Sequence, residues 1–253
     1  MSVVTILSNG PVRTITLNRP EKRNALSAEM LGELHAAFQA KPGMDERVSV
    51  IRANGTVFCA GLDLRERART LGQPGASPIE AILHAIEMYP LPVVAVVQGD
   101  AIAGGNELAL HCDFVVASTS ASFGMSLAQI GLAPTWFLAK KLLEVAGPVA
   151  TREVLLLGNP LPAARMHELG IIARAVPAAE LDEVAAAIID RLAANAPLSL
   201  RAMKALLLRE MKFRDNIPHD DVDELIQAAR KSADAKEGIA ARLEKRQTAF
   251  TGR

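Results

Sequence analysis

Cysteine is almost missing from this 253-residue chain, which has two, Cys59 and Cys112. They stand far apart and form no C-x-x-C pair, so the sequence offers no disulfide framework and no dithiol motif. A reduced, cytoplasmic protein with two structural thiols is the expectation. An excess of charge is missing too. Lys+Arg and Asp+Glu each count 28, which argues against a polybasic nucleic-acid binder and against an acidic tail protein. A small anionic ligand stays possible, because local patches decide that. No run of about 18 apolar residues occurs, so no transmembrane helix is expected. The opening MSVVTILSNGPVRTITLNRP lacks the charged leader and long apolar stretch of a signal peptide. Neither G-x-G-x-x-G nor G-x-x-x-x-G-K-[ST] is present, so nucleotide folds of those types gain no support. We find no internal repeat and no low-complexity segment.

What is present is a chain that is 50% hydrophobic and 22% charged, enough for one large domain or a domain with a helical appendix. VRTITLNRP alternates apolar and polar residues as a half-buried strand does. From Ser27, an N-cap residue, Met30, Leu31, Leu34 and Phe38 follow at helical spacing. RVSVIRAN reads as a second strand. LPVVAVVQGD reads as a third, apolar enough to be buried on both faces. The segment 101–114 turns helical, and FVVAS suggests another strand. Alternating strands and helices indicate the α/β class. TLGQPGASP, Thr70 to Pro78, reads as a mobile loop. The last third is helical. ELDEVAAAIIDRLAANAP places Leu181, Val184, Ala185, Ile188, Ile189 and Leu192 on one face. SLRAMKALLLREM does the same with Leu200, Met203, Leu206 and Leu207. HDDVDELIQAARKS carries acids first and Arg230-Lys231 last, which suits the helix dipole. A composition shift near Pro197 divides the chain into a core, 1–196, and a helical C-terminal subdomain, 197–253.

Chemistry is suggested first by AIAGGNELALHCDF. The Gly104-Gly105 pair opens a helix on bare backbone, and free N–H groups there bind anions or developing oxyanions. A close-packing role for the pair explains it equally well. FCAGLDLRER supplies a second apolar-to-glycine turn and a second donor, the Leu62 N–H. Two donors from separate turns suit an oxyanion hole for a thioester or ester carbonyl. Glu107 is then the natural acid or base, with the helix start favouring its carboxylate and apolar surroundings favouring the neutral acid. The alternative is a cap that satisfies orphan N–H groups. His111, Cys112 and Asp113 are consecutive, so on a helix they point about 100° apart and chelate poorly. His35, His84, His167 and His219 have no matching partner. Ser126 raises a serine-hydrolase reading, but the second glycine of G-x-S-x-G is absent.

As a set, these residues resemble the crotonase family, the enoyl-CoA hydratases and isomerases, over nearly the whole chain. NRPEKRNALS is similar to its N-terminal signature, FCAGLDLRE to its first oxyanion turn and GDAIAGGNELALHCD to its second. FGMSLAQIGLAP stands where the family usually has F-G-x-P-E-x-x-x-G. GNPLPAARMHELGIIARAVPAAEL and SADAKEGIAARLEKRQTAF resemble its later signatures. The resemblance implies a core of repeated β-β-α turns, a C-terminal helical trimerisation region, and a homotrimer or dimer of trimers. It implies a coenzyme A thioester as substrate, with no metal and no redox cofactor. It also implies that the Leu62 and Gly104 N–H groups hold the thioester oxygen and that Glu107 is catalytic. The expected CoA and substrate contacts are Lys22, Arg23, Ala25, Ala60, Asp63, Leu64, Arg65, Gly105, Leu127 and Trp136. The basic residues among them also read as solvated surface.

Two departures matter. The second glutamate of the hydratases should stand in the Pro-Glu pair, which here is Ser126-Leu127; nearby Gln129 is no acid at neutral pH. The glycine of a later P-x-x-G is Phe137, after Trp136, and these aromatics either reshape the acyl pocket or pack elsewhere. One carboxylate still suffices to take a proton from water and return it to carbon, or to move a proton along the acyl chain. A hydratase or isomerase is the preferred reading. A decarboxylase or thioester hydrolase on the same fold, or a silent acyl-CoA-binding member, is the alternative.

Overall fold

The computed structural model describes residues 2–70, 77 and 79–252. Most of the predicted loop, residues 71–76 and 78, lies outside the described residues. The chain opens with a hairpin, β1 (Val4–Asn9) and β2 (Val12–Leu17), whose antiparallel pairing joins Val4 to Leu17 and Asn9 to Val12. The alternation in VRTITL becomes a strict alternation of burial in β2. Helix α1 (Ala28–Gln39) begins at Ser27, whose side chain accepts from the Met30 N–H, and it buries Met30, Leu31, Leu34 and Phe38. After α1 come β3 (Val48–Ala53), α2 (Leu64–Thr70), α3 (Glu80–Met88), β4 (Val93–Val97), β5 (Ala101–Ile102) and α4 (Gly104–Leu110). Then follow β6 (Phe114–Ser118), β7 (Ser122–Gly124), α5 (Trp136–Arg152, broken at Gly147), β8 (Leu161–Pro162), α6 (Ala163–Glu168) and β9 (Arg174–Val176). Helices α7 (Leu181–Ala194), α8 (Pro197–Glu210), α9 (Asp220–Lys231) and α10 (Ala233–Glu244) complete the described chain.

Six strands form one sheet in the order β1-β2-β3-β4-β6-β9, parallel from β2 onward. Every residue of β4 is buried, because helices cover both faces. One face carries Val48, Val50, Val94, Val96 and Val116 against Leu181, Ala185, Ile189 and Leu192 of α7. The other joins the main core with α1, α3 and α4. A second, smaller layer runs through the Leu26–Leu62 and Cys59–Ala101 bridges into β5-β7-β8. Each turn of chain therefore spends one strand in the large sheet and one short segment in the small layer, then enters a helix. The sequence β3, residues 59–62, α2 does this, and so does β4, β5, α4. This is the repeated β-β-α core that the sequence implied.

The predicted α8 stripe is real but faces outward. Lys204 is the one buried residue of that helix, while Met203, Leu206 and Leu207 are exposed. The Lys204 ammonium donates to Asp113 Oδ2 at 2.6 Å and to the carbonyls of Ile86 and Leu91, at 3.4 and 3.3 Å. A charged pin thus joins α8 to the core, together with Leu200, the one predicted stripe residue that packs inward, against the sheet and α7.

The two layers meet where α4 starts. A Cβ added to Gly105 would lie 2.2 Å from the Cys59 carbonyl oxygen and 2.7 Å from Cys59 Cβ. Neither neighbour is the free end of a side chain, so the backbone itself must move to admit a methyl group. We expect Gly105→Ala to destabilise the fold by about 3 kcal/mol, lowering the melting temperature by roughly 6–12 °C in calorimetry.

Candidate active site

Two turns of the small layer place two backbone amides side by side. Leu26 N–H donates to the Gly61 carbonyl and Asp63 N–H to the Leu26 carbonyl, at 2.8 and 3.0 Å, which pins the first turn. Gly61 lies at φ +90°, and its Cβ position would fall 2.8 Å from the Ile102 carbonyl oxygen and 3.1 Å from Gly104 N. Only glycine permits both the conformation and the approach. In the second turn Ala103 adopts φ 49°, ψ −116° just before α4, a strained conformation for a residue with a Cβ. Ala103 N–H donates to the Gly124 carbonyl at 2.7 Å, and its own carbonyl accepts from Glu107 N–H at 3.0 Å. Among the described residues, neither Leu62 N–H nor Gly104 N–H has an acceptor. Both residues line a cavity of about 120 Å³ with Ala60, Leu64, Glu107 and Leu127.

Glu107 is fully buried, and neither carboxyl oxygen has a hydrogen-bond partner among the described residues. The capping role is thereby overturned, since a cap would spend an oxygen on an orphan N–H. Burial raises its pKa well above the ordinary carboxylate value, with Lys141 pulling down and Glu87 pushing up. Burial therefore outweighs the helix start and favours the neutral acid. Behind it, His111 Nδ1–H donates to the Glu107 carbonyl at 2.7 Å, and the ring stacks on Phe137 with centroids 5.3 Å apart. Burial depresses the His111 pKa to about 4, so the imidazole 3.7 Å from the Glu107 carboxyl is neutral near pH 7 and forms no ion pair with it.

The other predicted residues divide into three groups. Lys22, Ala25, Asp63, Leu64 and Arg65 line a neighbouring groove with Arg19 and Arg69, and Leu64 belongs to both spaces. Asp63 also starts α2, accepting from Arg65 N–H at 3.1 Å and pairing with Arg19 at 3.4 Å. Arg23, Gly105 and Trp136 line neither space. Arg23 lies 3.8 Å from Asp100 on the exposed surface. Gly105 packs on Cys59, and the Trp136 indole stacks on the His219 imidazole at 4.5 Å.

The remaining candidates resolve as follows. Gln129 turns to the Leu157 carbonyl and Asn159. Asp113 pairs with Lys204, and the Cys112 thiol donates to the Leu108 carbonyl. Ser126 Oγ accepts from the Arg242 guanidinium at 3.2 Å, which gives it no base. Both cysteines are buried and free, and burial pushes the Cys59 thiol up to about 12.

Sequence reasoning missed several parts of this region. Asn24, fully buried at φ 52°, knots the N-terminal motif by accepting from Arg19 N–H and donating to the carbonyls of Asn54 and Val57. Its signal was an asparagine at a left-handed turn. Arg67, Arg230 and Arg242 also line the cavity, and no local motif marks them.

The chain is similar to known proteins along nearly its whole length. The family model described as enoyl-CoA hydratase/isomerase matches residues 8–253. A putative enoyl-CoA hydratase of Thermus thermophilus is 35% identical, covering 96% of this chain and 99% of its own. The 1,2-epoxyphenylacetyl-CoA isomerase of Escherichia coli is 32% identical, covering 96% of this chain and 95% of its own. A solved methylmalonyl-CoA decarboxylase superposes with a TM-score of 0.92 at 25% identity, covering 99% of each chain.

The neutral His111 gives a pH prediction. Its folded pKa lies below the unfolded 6.5, so folding excludes the proton. The associated stability is complete above pH 6.5 and is lost as pH falls toward 4. Across that window the wild type should lose about 3 kcal/mol more than His111→Gln, measured by urea unfolding at each pH.

Proposed function

The chain belongs to the enoyl-CoA hydratase/isomerase family and is an acyl-CoA enzyme of the hydratase/isomerase type; we propose that Leu62, Gly104 and Glu107 carry its chemistry. One observation supports this most. Two N–H groups without acceptors and one carboxyl without a partner line the same cavity. In the proposed reaction the thioester oxygen accepts from both N–H groups, which stabilise the negative charge that develops there as the enolate forms. For hydration, ionised Glu107 takes a proton from water as the water oxygen bonds to the β-carbon. The enolate then collapses, and Glu107 returns that proton to the α-carbon. For isomerisation the same carboxylate removes one proton and returns it two carbons away. Leu127 contributes only an apolar wall, so a single group serves both half-reactions. Lys22 and Arg65, with Arg19 and Arg69, would hold the CoA phosphates along the neighbouring groove. Ala25, Ala60, Asp63 and Leu64 shape its passage into the cavity. Arg23 lies on the exposed surface nearby. Gly105 and Trp136 act as packing residues. A cytoplasmic location is part of the proposal, supported by the free thiols.

We expect Glu107→Gln to lower the turnover of 2-enoyl-CoA thioesters by about 10²-fold or more, followed as loss or shift of the conjugated absorbance. Because the base must ionise, wild-type kcat/KM should fall on the acid side with an apparent pKa above the ordinary 4.5. Turnover that survives the substitution would sink the assignment.

The assembly we propose is a homotrimer or a dimer of trimers. Leu198, Met203, Leu206 and Leu207 of α8 are 58–75% exposed in the single chain, a stripe that a second copy would cover. Light scattering should give three or six times the 26.9 kDa chain mass, and Leu206→Glu combined with Leu207→Glu should shift it toward the monomer. A monomeric wild type would refute the assembly.

A further inference from the structure

Three guanidinium groups reach the cavity from elements outside the two oxyanion turns. Arg67 comes from α2, Arg230 from α9 and Arg242 from α10. Arg230 is 6% exposed and, among the described residues, has neither an ion pair nor a hydrogen bond. Arginine does not deprotonate in proteins, so this guanidinium, which lines the cavity, is a permanent charge there that an anion would stabilise. Arg67 stands half-buried, its pKa lowered by burial and then by the charge of Arg230. Arg242 lies at the rim and donates to Ser126 Oγ at 3.2 Å. Among the described residues, the one acid lining the cavity is Glu107, whose neutral form burial favours. Three basic groups and one acid thus line the cavity among the described residues. The neighbouring groove, lined by Arg19, Lys22, Arg65 and Arg69 with the acids Asp63 and Glu66, has basic groups in excess, available for the CoA phosphates. That leaves the arginines in the cavity for the acyl group.

We propose that the substrate's acyl chain carries a free carboxylate in addition to its thioester, held by Arg230 with Arg67 and Arg242. The inference rests on the acyl-CoA reading above and adds the chemical class of the acyl group. Guanidinium groups bind carboxylates through paired, charge-assisted hydrogen bonds. Such an anion supplies the counter-charge that Arg230 lacks and relieves its repulsion with Arg67.

The test uses the full chain and matched saturated thioesters that the proposed chemistry does not consume: pentanoyl-CoA against glutaryl-CoA, and hexanoyl-CoA against adipoyl-CoA. Titration calorimetry should show the carboxylated member of at least one pair binding about tenfold tighter or more. That ratio should collapse toward one in Arg230→Met and be partly kept in Arg230→Lys. Equal or weaker binding of both carboxylated thioesters by the wild type overturns the inference and requires no variant. So does a preference that persists in folded Arg230→Met. Failure of free CoA and of all four thioesters to bind would overturn the acyl-CoA reading itself, and this inference with it. Binding of the apolar pair alone overturns only this inference.

Discussion

The contact on which the site depends is the approach of the α4 backbone to the Cys59 carbonyl, close enough that position 105 has no room for a Cβ. It clamps the first residues of α4 against the 59–62 turn, so that the amides of Leu62 and Gly104 open on one cavity. The clamp has costs elsewhere. Ala103 is held at a positive φ, which amounts to about 1–3 kcal/mol of strain. Two N–H groups without acceptors add a penalty of about 1–3 kcal/mol each where water is excluded. A fold tolerates such costs only when the surrounding packing over-determines them. Here that packing is the fully buried β4 and the apolar α4, whose residues after Gly104 are all buried. In the proposed reaction the oxyanion finds donors already fixed in place, so little reorganisation is needed as charge develops.

Electrostatics then divides the cavity. Burial favours the neutral form of Glu107, while the arginines are charged at every ordinary pH. A lone carboxyl with a raised pKa is a stronger base once ionised than an exposed one, and it is better suited to taking a proton from water. The Lys141 charge works against that elevation and the Glu87 charge adds to it.

Much of the fold was legible because its signals are local. The alternation of VRTITL, the unbroken apolar run of β4 and the Ser27 cap each act within a few residues, and each appears as read. The family signatures led to Leu62, Gly104 and Glu107, which one cavity brings together. What could not be read depends on distant packing. Gly104 and Gly105 are adjacent and identical in type, yet one lines the cavity and the other packs on Cys59. Only the partner across the gap separates them. The arginines come from helices more than 150 residues apart, and Arg230 in sequence is merely a basic residue in the last turn of a helix. Phe137, in place of the expected glycine, settles behind α4 against His111 rather than in the acyl cavity.

The outward stripe of α8 and the inward arginines of α9 and α10 show how the C-terminal third divides its work. A helix docked by an apolar face would bury its leucines in its own core and leave little for a neighbour. Here α8 is docked through Leu200 and through Lys204, whose three partners lie on α3, the loop before β4 and the residue preceding β6. With Asp113 exposed the pair brings little net stability, but it fixes orientation, because the buried Lys204 ammonium would be costly left alone. That arrangement frees Met203, Leu206 and Leu207 to face another copy, and it lets α9 and α10 return over the cavity with Arg230 and Arg242. In the proposed assembly, packing against a neighbour would steady the helices that hold these arginines. Acyl selection would then depend on subunit association, although every residue of the proposed acyl-binding site belongs to one chain.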